Sequence, residues 1–171
     1  YKQDGEVRRL RVDMGKAELD PARIPVAMDR KAVISEPVTI GGKDYHITCV
    51  SMGNPHCVVF VNNVDSLDIE SIGPQFEFDP LFPERVNTEF VKVLDRHTIR
   101  MRVWERGSGE TWACGTGACA AAVAAVENGF CPKDEDITIK LKGGDLVIRY
   151  TGETVYMTGE AERIFEGTIV L

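Results

Sequence analysis

The sequence has 171 residues, 43% of them hydrophobic, and a formal net charge of −7 from 20 basic and 27 acidic side chains. This hydrophobic content excludes a disordered chain, and an acidic balance without a basic cluster argues against a nucleic-acid partner. The longest apolar run, Ala118 to Val126, is too short for a membrane span, which needs roughly 18–20 residues. Five cysteines without a Cys-x-x-Cys pair or a finger-like histidine spacing favour a reducing, cytoplasmic protein without a structural metal.

Most of the chain predicts short strands. Leu10, Val12 and Met14 alternate with charged residues, which predicts a half-buried strand over 7–14. Two further pairs of strands are predicted to form hairpins, because each pair is separated by a Gly-Gly turn. The hairpins pair 37–40 with 44–52 and 137–141 with 146–150. Further strands are predicted at 56–61, 86–94, 98–104, 155–157 and 164–171.

Two helices are predicted. The first runs from an N-cap at residue 65 or 66 to residue 72, where Gly73-Pro74 ends it. The second runs from Gly115 to Asn128, with Gly129 as its C′ residue. Its side chains are small or apolar nearly all round, so it should be buried on every side. The sequence therefore predicts an α/β (α+β) fold, a curved, mainly antiparallel sheet or barrel around a central buried helix.

The densest chemical signal is the segment 104–119, WERGSGETWACGTGAC. Cys114 immediately precedes the second helix, where unpaired N–H groups and the helix dipole favour an ionised thiol. The next three residues, 115–117, allow a ligand to approach the backbone, and their N–H groups can hold a carboxylate. Glu105 and Arg106 end a strand and can point into a site. The other cysteines are interpreted as small buried side chains; they are Cys49, Cys57, Cys119 and Cys131.

Three further patterns are less specific. Residues 115–120 match the looser dinucleotide fingerprint, but a polar, Gly-rich loop precedes them instead of a buried strand, so no nucleotide cofactor is predicted. In Met52-Gly53-Asn54-Pro55-His56, Asn54 can offer an amide to a ligand and His56 can exchange a proton. The same segment is also compatible with a plain turn and a satisfied histidine. Asn87 begins a strand and carries little weight alone.

Together, three motifs resemble diaminopimelate epimerase, over essentially the whole chain: MGNPH at 52–56, FPERVNTEFV at 82–91 and WERGSGETWACGTGAC at 104–119. The resemblance implies a cofactor-independent enzyme that interconverts LL- and meso-diaminopimelate, on the route to lysine and peptidoglycan. It also implies two similar lobes, each a curved sheet around a central helix, with the site in the cleft between them. The expected partner is this small-molecule substrate; no cofactor and no metal are expected, and a homodimer is left open.

The resemblance also assigns roles to individual residues. Cys114 matches one of two catalytic cysteines, and Glu105 matches the carboxylate that partners it. His56 matches the imidazole that partners the other cysteine. The residues that match those holding the distal end of the substrate are Asn54, Asn87 and Arg106. The backbone amides that match those binding the reacting carboxylate belong to Gly115 and Thr116.

One feature of the family is absent from the sequence. The other catalytic cysteine lies in a CGNG-type motif of the first lobe, which this chain lacks. The expected organisation is a connecting strand over 1–15, a second lobe over 16–159 and a strand returning to the first lobe over 160–171. This chain alone is therefore expected not to epimerise.

Two questions stay open in the sequence. Because a carboxylate disfavours a neighbouring thiolate, Glu105 is expected to keep Cys114 protonated against the helix dipole, with the other cysteine as the resting thiolate. The substrate also has alternatives: a racemase of the same fold acting on histidine or hydroxyproline, or a non-catalytic small-molecule-binding lobe. The set of Asn54, Asn87 and Arg106 favours diaminopimelate.

Overall fold

The computed structural model describes residues 1–3 and 6–169, which form twelve strands and two helices. The strands are β1 Lys2–Gln3, β2 Glu6–Val7, β3 Arg9–Asp13, β4 Glu36–Ile40, β5 Lys43–Ser51, β6 Pro55–Phe60, β7 Asn87–Asp95, β8 Thr98–Glu105, β9 Gly109–Thr111, β10 Asp136–Leu141, β11 Gly144–Tyr150 and β12 Val155–Glu160. The helices are α1 Ile69–Glu77 and α2 Gly115–Glu127. Both predicted hairpins are confirmed, as β4–β5 and β10–β11.

Ten of the strands form one curved sheet. Its order is β3-β12-β11-β10-β8-β7-β6-β5-β4, with β9 attached to β8. Two neighbouring pairs are parallel, β6–β7 and β8–β10, and the others are antiparallel. The sheet curves around α2, which packs against β5 to β8 and β10 to β12. The predicted sheet around a central helix is confirmed. It is open, because within the described residues β3 and β4 end the sheet without pairing to each other.

The central helix α2 has no polar face, as predicted. Nine consecutive residues, Gly117 to Ala125, are buried. The helix ends at Glu127, and Gly129 has a φ of 76°, the left-handed conformation that favours glycine after a helix. Its short side chains let the sheet approach closely on several sides. Among the described residues, no helix is both long and apolar enough to cross a membrane.

The first helix lies later in the chain than predicted, at Ile69–Glu77 with Asp68 as its N-cap. Gly73 does not end it. A Cβ at Gly73 would lie 2.3 Å from a ring atom of Trp104, so this glycine is required for close packing. Pro74 lacks an N–H group and removes one hydrogen bond from the helix, which nevertheless continues to Glu77.

The two faces of the sheet pack against different partners. Side chains alternate along β6 and β7, so neighbours point to opposite faces. Val58 and Val91 belong to the core around α2, and we call this side the α2 face. Cys57, Val59 and Phe90 belong to a second core with α1 and the segment that precedes β4, and we call this side the α1 face. The strands in the middle of the sheet are therefore buried on both sides.

Two predictions at the ends of the chain were wrong. The strand β3 exists, but all five of its residues are exposed, so it is not half-buried. Residues 164–169 form no strand, because no neighbouring strand among the described residues pairs with their backbone. Ile164 and Phe165 are more than 80% exposed. Residues 170 and 171 of that predicted strand lie outside the described part.

Candidate active site

A group of polar side chains interrupts the apolar α2 face beside the first turn of α2. Alternation along β7 places Asn87 and Glu89 on the same face as Val91. The parallel pairing of β6 and β7 sets His56 opposite Asn87. Glu105 ends β8 on the same face, two residues after a buried valine. His56, Asn87 and Glu89 are buried, which is unusual for such polar groups unless they are hydrogen-bonded.

Cys114 is the N-cap of α2 and is 8% exposed. Its Sγ accepts a hydrogen bond from the Gly117 N–H at 3.3 Å and lies 3.6 Å from the Thr116 hydroxyl. In the described part of the chain, no group accepts from the N–H of Gly115 or Thr116. The predicted arrangement of a thiol beside two unpaired helix N–H groups is therefore present in the geometry.

The surroundings of Cys114 favour the protonated form of its thiol. Burial is the largest cause and raises its pKa from an ordinary 9.0 to about 11, with the charge of Glu89 next in size. Hydrogen bonds from Thr116 and Gly117 act in the opposite direction, and Glu105 adds a smaller increase. The pKa of Cys114 is raised, which is the direction expected from the neighbouring Glu105. However, burial and Glu89 contribute more, and the favourable effect of the helix N-terminus does not prevail.

Glu89 is the main site residue that sequence reasoning missed. Its side chain is fully buried, and its Oε1 lies 2.7 Å from Nδ1 of His56. Its Oε2 has no hydrogen-bond partner among the described residues. Burial raises the pKa of Glu89, while the charge and hydrogen bond of His56 act to lower it. A signal was available, because a glutamate inside the apolar run of β7 shares its face with Asn87.

His56 has both ring nitrogens engaged. Nδ1 contacts Glu89, and Nε2 lies 3.0 Å from Oδ1 of Asn54. The imidazole is 0% exposed, so Asn54 lies between it and solvent in this structure. Its predicted pairing with a second cysteine stays a prediction.

Asn87 joins two loops of the site. Its Nδ2 donates to the carbonyl of Pro55 at 2.8 Å, and its Oδ1 accepts from the N–H of Arg106 at 2.9 Å. The guanidinium of Arg106 is exposed and donates to the carbonyl of Glu84 at 2.9 Å. These bonds fix the position of the loop that carries Arg106. The predicted contacts of both side chains with substrate stay predictions.

The other end of this loop is held by a second glutamate that sequence reasoning missed. Glu77 of α1 accepts from the N–H of Gly107 at 3.0 Å and from the indole N–H of Trp104 at 2.7 Å. Glu105 lies between these two residues and accepts from the hydroxyl of Thr111. The carboxylate of Glu105 is therefore held between β8 and β9.

The remaining cysteines are buried and unpaired, as predicted. Cys119 lies inside α2, and burial followed by the nearby Cys114 raises its pKa to about 12. Cys49 and Cys57 pair across β5 and β6 on the α1 face, away from the polar group. Burial also raises the pKa of the Cys131 thiol to about 11. Cys114 therefore differs from the other four by its contact with polar groups at a helix terminus.

Comparison with known proteins gives a consistent family. A family model described as diaminopimelate epimerase matches residues 48–164. A diaminopimelate epimerase of Acetivibrio thermocellus is 54% identical over 171 residues, which cover 99% of this chain and 60% of that protein. The corresponding enzyme of Methanococcus maripaludis is 47% identical and covers 98% of this chain and 60% of that protein. The chain thus spans less than two thirds of the length of these curated relatives.

Solved structures share the fold at low sequence identity. A probable proline racemase from Agrobacterium radiobacter, with bound carbonate, gives a TM-score of 0.63 at 14% identity, over 93% of this chain and 52% of that chain. A hydroxyproline epimerase from Agrobacterium vitis gives a TM-score of 0.62 at 12% identity, over 93% of this chain and 51% of that chain. A predicted epimerase from Pseudomonas aeruginosa gives a TM-score of 0.56 at 19% identity, over 92% of this chain and 59% of that chain. At these identities the comparison bears on fold alone.

Proposed function

Since the chain belongs to the diaminopimelate epimerase family, we propose that the protein containing it inverts the α-carbon of LL-diaminopimelate to give meso-diaminopimelate. The observation that carries the proposal is Cys114, a buried thiol at the N-terminus of a buried helix, beside unpaired backbone N–H groups. Inversion without a cofactor needs a proton donor on one face of the α-carbon and a base on the other. Cys114 is suited to be the donor.

The helix N-terminus supports the proposal by what it can do for the reacting carboxylate. Removing the α-proton leaves a carbanion whose negative charge spreads onto that carboxylate. The N–H groups of Gly115 and Thr116 can donate to it, and the helix dipole favours the added charge. Loss of one such donor costs about 2.7–4 kcal/mol in comparable sites. A partly enclosed N-terminus of this kind therefore lowers the barrier to proton removal.

The proton transfers balance with two thiols. A thiolate on one face takes the α-proton and becomes a thiol, and the electron pair of the C–H bond stays on the α-carbon. Cys114 then delivers its proton to the other face and becomes a thiolate, so a new C–H bond forms with inverted configuration. In this proposal the second cysteine lies in the part of the protein outside this chain. The reverse reaction exchanges the two roles, and Cys114 then acts as the base.

The distal end of the substrate explains the choice of diaminopimelate. Arg106 can hold a distal carboxylate with two parallel hydrogen bonds, and Asn54 and Asn87 lie on the adjoining loop and strand. A substrate without that end would lose the two hydrogen bonds to Arg106, and a site built to hydrogen-bond a group of the substrate selects against analogues that lack it. The product would serve lysine and peptidoglycan synthesis. The unpaired cysteines support the reducing cytoplasm as the compartment.

The proposal is tested by α-proton exchange in D₂O. Full-length protein with LL-diaminopimelate should incorporate deuterium at the inverted centre, and Cys114→Ala should abolish this exchange while the fold is retained. Cys119→Ala, a change of another cysteine in the same helix, is the matched control and should keep most of the activity. Exchange with a different amino acid but not with diaminopimelate would overturn the substrate. Ligand binding without exchange of any amino acid would favour a non-catalytic lobe.

A further inference from the structure

The buried carboxylate of Glu77 contacts three separate segments of the chain. Glu77 is the last residue of α1, and its side chain is 4% exposed. Oε1 accepts from the backbone N–H of Gly107 at 3.0 Å, and Oε2 accepts from the indole N–H of Trp104 at 2.7 Å. Nη1 of Arg85 lies 3.6 Å from Oε1. Because a buried carboxylate is costly without its donors, these contacts hold the three segments at fixed distances from one another.

Two of these segments enclose Arg106. This residue begins the turn of residues 106–108 between β8 and β9, which we call the β8–β9 turn. Gly107 is the next residue of the turn, and its N–H is bonded to Glu77. On the other side, the guanidinium of Arg106 donates at 2.9 Å to the carbonyl of Glu84, the residue before the arginine that contacts Glu77. Glu77 therefore holds both the backbone of the turn and the loop that the guanidinium contacts.

The loop on this second side has a strained backbone. Arg85 has a φ of 61°, a left-handed conformation that a residue other than glycine keeps only where its surroundings fix it. Its guanidinium contacts Glu77 and lies 4.8 Å from the centre of the Phe78 ring. The φ of Arg85 sets the orientation of the peptide group that it shares with Glu84. The contact with Glu77 thus helps to present the Glu84 carbonyl to Arg106.

We propose that Glu77 is a positioning residue of the substrate site, which holds the β8–β9 turn so that the guanidinium of Arg106 faces the distal carboxylate of the substrate. Nη1 of Arg106 is bonded to Glu84, and the edge formed by Nε and Nη2 makes no hydrogen bond among the described residues. A carboxylate can pair with that edge through two parallel hydrogen bonds, which depend on direction as well as distance. The identity of this substrate rests on the proposed function.

The first test is Glu77→Gln in the full-length protein. The amide has one oxygen, whereas Gly107 and Trp104 both present donors. The indole is packed against α1 and Gly107 is exposed to water, so the oxygen should keep the indole and release the turn. We expect KM for diaminopimelate to rise about tenfold and kcat to fall by a smaller factor, because Glu105 keeps its bond from Thr111. An unchanged KM would overturn the inference.

Glu70→Gln is the matched control. It removes the same charge from the same helix, but Glu70 is exposed in the first turn of α1. Both KM and kcat should stay within about twofold of the parent values. A rise in KM as large as in Glu77→Gln would overturn the inference, since loss of a charge anywhere in α1 would then be sufficient.

A second substitution separates the hydrogen bond to the turn from a general loss of packing. Trp104→Phe removes the indole N–H and keeps an aromatic ring beside Gly73. In this background the oxygen of Glu77→Gln has no competing donor and can accept from Gly107. The double variant should therefore have a KM within about twofold of Trp104→Phe alone. A tenfold rise in this background would overturn the inference, and the comparison does not need Glu77→Gln alone to be stable.

Amide hydrogen exchange of Gly107, followed by NMR of nitrogen-15-labelled protein, gives a readout that needs no substrate. Loss of its acceptor in Glu77→Gln should speed this exchange about tenfold, and the double variant with Trp104→Phe should restore the slower rate. Equal rates in the parent and in Glu77→Gln would overturn the inference, whether or not diaminopimelate is turned over. Failure of the parent to turn over diaminopimelate would instead overturn the proposed function.

Discussion

The α1 face and the α2 face of the sheet are built from the same strands but serve different ends. On the α1 face, β6 and β7 contribute Cys57, Val59 and Phe90 to a mainly apolar core. On the α2 face, the same two strands contribute His56 and Glu89 beside the first turn of α2. The alternation of a strand thus lets one segment build a core and a site at once. The buried charged pair on the α2 face makes that side the candidate for chemistry.

The largest expected loss of stability comes from a substitution on the α1 face. Phe76 of α1 is fully buried and packs edge-on against Phe90. Phe76→Ala should lower the free energy of unfolding by about 3–5 kcal/mol, because it removes buried surface and leaves a cavity. Denaturant unfolding measures this change. Phe78→Ala, at a position 61% exposed, is the control and should cost less than about 1 kcal/mol. Equal losses would contradict the assignment of the α1 face as a core.

The next largest effect is expected from a substitution of Gly117 on the α2 face. Gly117→Ala would place a methyl group against the buried carboxylate of Glu89 and should cost about 1–3 kcal/mol in stability. It should also reduce activity at least tenfold, because Glu89 and Cys114 must move apart. In the matched variant Gly115→Ala, the methyl group would meet only the flexible end of Met157 at 3.3 Å. A stability loss from Gly115→Ala as large as from Gly117→Ala would contradict the crowding of Glu89 as the cause.

The titration of Cys114 tests the surroundings of this thiol on the α2 face. Burial and the charge of Glu89 raise its pKa from 9.0 to about 11, so the rate of alkylation of Cys114 should still rise with pH up to about pH 11. Since the folded pKa is raised, the thiol stabilises the fold below its ordinary pKa, and this contribution is lost as the pH rises towards about 11. Cys114→Ser supplies the background rate of the buried thiols. A plateau near pH 9 would contradict the raised pKa of Cys114.

The smallest effect concerns a buried hydroxyl on the α1 face. Thr88 is 0% exposed, and its Oγ1 has no hydrogen-bond partner among the described residues. Thr88→Val removes this unsatisfied group and keeps the shape, so it should stabilise the chain by up to about 1 kcal/mol in denaturant unfolding. A loss of stability in Thr88→Val would contradict the placement of this hydroxyl in an apolar core.

Much of the fold could be predicted because its central feature is local. The small residues of α2 leave no polar face, and this pattern implies burial whatever surrounds the helix. The hairpins followed from Gly-Gly turns in the same way. The first helix was misplaced because Gly73 was interpreted as a stop signal, whereas its role is to admit the ring of Trp104 from a distant strand. Such a contact joins positions far apart in the chain and has no local signature.

The residues of the candidate site could be named from the sequence where they lie in recognisable motifs. Cys114 at the start of α2 was identified from its position, and the structure places it there as the N-cap. Glu89 and Glu77 were missed because a single glutamate in a strand or helix usually faces solvent. Their roles depend on which face is buried, and that is set by the packing of α1 and α2. The pKa of Cys114 was misattributed for the same reason, since its largest cause is burial.

The two tryptophans of the chain lie in different surroundings, which gives the molecule two optical reporters. The ring of Trp104 fills the space above Gly73, and its N–H group is bonded to Glu77. Trp112 is 75% exposed and lies two residues before Cys114. A soluble quencher such as acrylamide will therefore suppress the fluorescence of Trp112 and spare that of Trp104. The quenched emission follows the segment that leads into α2, and the protected emission follows the packing of α1 on the sheet.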